Sequence, residues 1–164
     1  MASTPCLAWE TAQVAGLVAL LLCLVLLLLP LRPRVGLARN LSLHLHERLG
    51  VLALLALLLH AALAIVADPL VLEHLRPSLP WYEACGLGAA VLLVILALPA
   101  SERARNALWP GQRRFRAWHL IASCLLLPVI AAHAIGTNRY FHGQGRAAAL
   151  VAGCLLALAT LLRA

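Results

Sequence analysis

The sequence predicts an all-α fold, a polytopic membrane bundle of five transmembrane helices, on three observations. Residues are 63% hydrophobic and only 12% charged, a balance that soluble domains do not show. The mean hydropathy is +0.94. The apolar residues gather into five runs of roughly 16 to 22 residues, near the ~20 that cross a ~30 Å hydrocarbon core as helix.

The first run, about residues 14–31, is rich in Leu and is followed by the arginines of RPRVGLAR. A secretory signal carries its positive charge before the apolar run, so this segment is expected to be a retained helix, with Trp9 placed as an interfacial anchor. The second, about 46–67, opens with HERLGVLALLALLLH. The third, about 84–100, contains GLGAA. That GxG opens a membrane helix and follows no strand, so it is not a nucleotide fingerprint. The fourth, about 117–135, contains HLIASCLLLPVIAAH, and the fifth spans about 147–162. Between them lie short links with Pro, Gly, Arg and Asn, which read as loops. Residues 1–164 are therefore expected to form a single transmembrane domain.

The net charge of +7 is a topology signal before it is a nucleic-acid signal. All 13 basic residues are arginine. Ten of them (Arg32, Arg34, Arg39, Arg48, Arg103, Arg105, Arg113, Arg114, Arg116, Arg163) fall in the first and third links or after the last run. Only Arg76, Arg139 and Arg146 fall in the second and fourth. By the positive-inside rule the arginine-rich links and the C-terminus are cytoplasmic and the N-terminus is outside. Attraction to anionic lipid or an acidic partner is secondary, and no nucleic-acid partner is expected.

The five cysteines form no CxxC pair and no CxxCH haem-attachment motif. Cys23, Cys124 and Cys154 sit within apolar runs, where cysteine is a small packing residue. Cys6 and Cys85 share the outer side by this topology, which leaves open a disulfide between them.

Ionisable residues inside a membrane span are costly and mark functional sites. His46 and His60 are fourteen residues apart, and so are His119 and His133. Fourteen residues turn about 1400°, roughly 40° short of four full turns, so both members of a pair share one helix face. Along the axis they stand ~21 Å apart, one toward each side of the membrane. Both helices start on the cytoplasmic side. His46 and His119 then share the inner level, and His60 and His133 the outer. Facing helices would offer two stacked His–His pairs, each able to clamp an iron from both axial sides. Gly50, Ala53 and Leu57 on one helix, and Ala122, Ser123, Leu126 and Ile130 on the other, lie between the histidines. A zinc or copper site would need three or four converging ligands, which levels ~21 Å apart do not supply. The bland alternative is that each histidine is only an interhelical hydrogen-bond donor.

The pattern LHERLG with a second histidine fourteen residues after its own, then a Trp-His helix with a distal histidine, resembles the ferric-reductase-like transmembrane domain. That group includes ferric reductases, NADPH oxidases and bacterial haem subunits of methionine sulfoxide reduction. The resemblance covers most of the chain. It implies two non-covalent b-type haems, with His46, His60, His119 and His133 as iron ligands, and a place in a bacterial inner (plasma) membrane. The chain departs from the family in having five apolar runs where members often have six. Its second histidine pair is also spaced by fourteen residues where thirteen is common. Pro128 lies between the two, and a proline kink can absorb one residue of register.

His44 is an alternative inner ligand, but sixteen residues to His60 turn it about 160° away. His74 lies among Glu73 and Arg76, where a solvated loop residue is the default. Arg139 and His142 on the outer side, and Arg48, Arg114 and Arg116 on the inner, are candidate contacts for haem propionates or an acceptor. They serve equally as topology determinants and interfacial anchors. No catalytic residue is identified. With no nucleotide motif in these 164 residues, electrons are expected from a separate flavoprotein, a quinol or another redox subunit. The expected function is a di-haem cytochrome carrying electrons from a cytoplasmic donor to an outer acceptor. The alternatives are a haem-free scaffold or assembly subunit of a larger complex, and a quinone-linked di-haem cytochrome of another family.

Overall fold

A computed structural model of the chain describes residues 4–29, 39–69, 79–100, 102–108, 111–137 and 144–162. Described residues form six α-helices: α1 (Thr4–Leu28), α2 (Arg39–Ala67), α3 (Trp81–Ala97), α4 (Glu102–Leu108), α5 (Gln112–Gly136) and α6 (Gln144–Leu162). Three of them contain stretches long and apolar enough to span a membrane: Leu7–Leu27, Leu43–Ala67 and Gln112–Gly136. Trp81–Ala97 is a shorter apolar helix.

Helices occur at all five apolar runs, but most overrun the boundaries that hydropathy predicts. The first starts at Thr4 rather than near residue 14, and the second at Arg39 rather than His46. The cause is physical: hydropathy marks the part of a helix that sits in lipid, whereas backbone hydrogen bonding continues through polar residues of good helix propensity. The first and third helices, which end at Leu28 and Ala97, stop short of their expected C-terminal ends. Pro99 lies in a short 3-10 turn, Leu98–Ala100, that closes α3. The short helix α4 was not expected from the sequence. It ends at Leu108, and Gly111, immediately before α5, takes φ +109, a conformation that favours glycine.

The bundle is organised as two helical pairs. α1 packs chiefly on α2, and α3 chiefly on α5, while α2 and α5 make little backbone contact with each other. The pairs meet in a core of Cys23, Ala53, Ala89, Leu93 and Leu126. Ala53 is fully enclosed, and it stands midway between His46 and His60 as Leu126 stands midway between His119 and His133. A second core, Leu27, Leu127, Ala131 and Cys154, docks α6 against α1 and α5 on the other side. Leucines and valines such as Val51, Leu55, Leu58 and Leu125 remain exposed, as expected of side chains whose solvent is lipid. Cys85 is a free thiol; the side chain of Cys6, the other member of the disulfide left open above, lies outside the described residues.

Candidate functional site

Both histidine-bearing helices begin seven residues before their first histidine, α2 at Arg39 and α5 at Gln112. Two full turns therefore precede each site. The structure brings His46 together with His119, ring centres 5.8 Å apart and planes at 58°. It brings His60 together with His133, 6.3 Å apart with planes at 79°. All four rings are half-buried. Because α2 and α5 otherwise stand apart, the imidazoles reach across a gap at two levels.

The backbone of the partner helices holds the rings from behind. His60 donates its Nδ1–H to the Ala12 carbonyl, 2.7 Å away. His133 does the same to the Tyr82 carbonyl at 2.8 Å. A ring whose Nδ1 is taken up in this way presents Nε2 as the nitrogen left for a metal. Metal-bound histidines are held this way, by a second hydrogen bond that fixes tautomer and ring orientation.

The His119 ring is different. His119 Nδ1 is the one buried side-chain nitrogen or oxygen among the described residues with no hydrogen-bond partner. Its neighbours are Phe115, with ring centres 5.3 Å apart, and beyond it Arg105, 5.8 Å over the Phe115 ring. A small cavity of about 20 Å³ beside it is lined by Leu96, Pro99 and Trp118 among others.

The ring separations can be tested against axial ligation. With nitrogen–metal bonds of about 2.0–2.1 Å and ring centres roughly 1.1 Å behind the nitrogens, two imidazoles on opposite sides of one ion stand ~6.3 Å apart. The His60–His133 distance agrees, and the His46–His119 distance is half an ångström short. Among the described residues there is no group of three or more His, Cys, Asp or Glu, so each pair offers two side-chain ligands. That suits a macrocycle, which brings its own equatorial nitrogens.

Other residues singled out from the sequence are placed as follows. His44 is exposed, and the ring facing His119 is that of His46. Arg48, Arg114 and Arg116 are exposed near the first level. His74, Arg139 and His142 lie outside the described residues. Of the intervening small residues, Ala53 and Ala122 are buried, whereas a Cβ on Gly50 would meet nothing within 4 Å. Sequence reasoning missed Ala12, Gly16, Tyr82 and Gly86. Their signal is faint: AQVAGLVA (12–19) and YEACGLGA (82–89) share Gly, Leu and Ala at equal offsets.

In comparison with known families, residues 15–130 fit the family model described as "Ferric reductase like transmembrane component". The matched region takes in His46, His60 and His119 and ends three residues before His133. No curated protein and no solved structure matches the chain.

Proposed function

The chain belongs to the family of ferric-reductase-like transmembrane components, and from that premise we propose that it is a di-haem b-type cytochrome that carries electrons across the membrane. His46 and His119 hold the inner haem; His60 and His133 hold the outer. The observation that carries this reading is the pairing itself. Two sets of imidazoles meet at 5.8 and 6.3 Å between helices that otherwise keep apart. The hydrogen bonds that take up Nδ1 of His60 and His133, and so leave Nε2 as the nitrogen for a metal, support it.

Bound haem supplies a one-electron iron couple whose potential is set by its axial ligands and their hydrogen bonds. The protein's part is to hold, orient and insulate. Carbonyls of α1 and α3 fix the outer imidazoles, and the core around Ala53 and Leu126 fills the space between levels with apolar atoms. The proposed arrangement has five spans in a bacterial inner membrane, with the arginine-rich links cytoplasmic. Trp81, exposed at the start of α3, and Trp118, exposed on α5 beside His119, then sit at opposite interfaces as aromatic anchors. The donor is a separate flavoprotein, quinol or redox subunit on the arginine-rich side.

Purified protein in detergent should give a reduced-minus-oxidised spectrum of low-spin b-type haem. A pyridine haemochrome assay should return two haems per chain. Zero or one in a fully loaded preparation rejects the two-site reading.

A further inference from the structure

Gly16 and Gly86 occupy equivalent places behind the outer pair of histidines. Each lies four residues after the carbonyl that accepts a ring Nδ1–H: Gly16 after Ala12, Gly86 after Tyr82. On a helix, residues four apart are stacked neighbours on one face. A Cβ built on Gly16 would stand 2.9 Å from His60 Nδ1 and 3.1 Å from its Cε1. One built on Gly86 would stand 2.6 Å from His133 Nδ1 and 2.7 Å from its Cε1. In both helices the missing side chain is what lets the ring reach the carbonyl.

We infer that Gly16 and Gly86 are positioning residues, which with the Ala12 and Tyr82 carbonyls form a twice-built cradle for the outer imidazoles. The inference rests on the haem-ligand reading above. Glycine inside a helix is unfavourable relative to alanine, and here the missing methyl opens the approach of one helix to a side chain of another. The inner level lacks this device. Among the described glycines none stands against His46 or His119, and His119 Nδ1 has no partner. The two levels are therefore chemically unequal although their ligands are the same. An Nδ1–H donated to a carbonyl makes the imidazole a stronger electron donor and favours ferric iron. Crowding the ring off its carbonyl should raise the potential of the outer haem only.

The test compares Gly16→Ala and Gly86→Ala with Gly145→Ala and Gly153→Ala, where an added Cβ meets nothing within 4 Å. Haem content is measured by pyridine haemochrome, midpoints by spectroelectrochemical titration, and axial-ring orientation by the g values of the ferric haems. The signal lost in His60→Ala identifies the outer haem. In Gly16→Ala and Gly86→Ala that haem should titrate at a higher potential with altered g values, while the inner haem and both control variants keep wild-type values. Selective loss of the outer haem in Gly86→Ala, the tighter site, also supports the cradle, and Gly16→Ala then supplies the potential. Wild-type potentials and g values in both cradle variants, or equal shifts in the controls, overturn it. Should the wild-type chain bind fewer than two haems, it is the haem reading that fails. The cradle is then judged by histidine ¹⁵N shifts of the chain without haem: His133 should be Nδ1-protonated in the wild type and lose that state in Gly86→Ala, and no difference between the two refutes it.

Discussion

Replacing the four histidines singly and in pairs tests the architecture by simple counting. The rise of α2 and α5 puts the two levels ~21 Å apart, well beyond the roughly 7–10 Å within which substitutions couple. Within a level the rings are 5.8 or 6.3 Å apart, centre to centre, so both members of a pair serve one site. His46→Ala and His119→Ala should each leave one haem per chain, and it should be the same haem, with the same midpoint and spectrum. The double variant should also leave one, because its second change removes a ligand from a site already lost. His46→Ala combined with His60→Ala should leave none. The assay is pyridine haemochrome per polypeptide, with difference spectra showing about half the wild-type amplitude for each single variant. One haem remaining in the cross-level double variant would refute the reasoning. So would a common haem depleted by His46→Ala and His60→Ala, and that outcome would also overturn the level assignment.

Leu127 is 1% exposed and packs in the second core; Leu127→Ala should lower stability in detergent by about 2–4 kcal/mol. Leu155→Ala, at a side chain 61% exposed, should change it by less than ~0.5 kcal/mol, and equal losses would show that the core is misplaced. Cys85 is a half-buried free thiol in the first turns of α3, while Cys23 is buried; in a Cys6→Ser background a membrane-impermeant maleimide should label Cys85 from the outer side only and Cys23 from neither. Labelling from the cytoplasmic side would invert the topology. In sealed vesicles NADPH alone should leave the haems oxidised, and an added flavin reductase should reduce them faster from the arginine-rich face, less so at high salt. Reduction by a quinol equally from both sides would favour the quinone-linked alternative.

The histidine spacing was legible because it is a property of one helix at a time. Fourteen residues on a 3.6-residue period puts His46 with His60, and His119 with His133, on one face whatever the neighbours do. Matching the levels needed only helix direction, which the arginines report. The carbonyl partners were not legible in the same way. Ala12 and Tyr82 act through backbone atoms that every residue possesses, so side-chain chemistry leaves no trace of their role. Gly86 was visible only as half of a GxG without a nucleotide context. Helix ends were the other gap: Thr4 and Arg39 begin helices outside the apolar runs, where hydropathy carries no information.

The separation of the two histidine helices bears on how the chain matures in the cell. α1 with α2, and α3 with α5, can each close as a unit, since each helix has its main packing partner within its own pair. The join between the units is narrower, made by the central core and the imidazoles. On the proposed reading, that join is completed by a molecule the ribosome does not make. A ligand that binds only the assembled state stabilises it by about 2.7 kcal/mol at a hundredfold excess over its dissociation constant. Shifts of that size change how much of a marginally stable chain escapes degradation. The abundance of this protein would then follow the cell's haem supply, with the two units surviving together when haem is plentiful and being cleared separately when it is scarce.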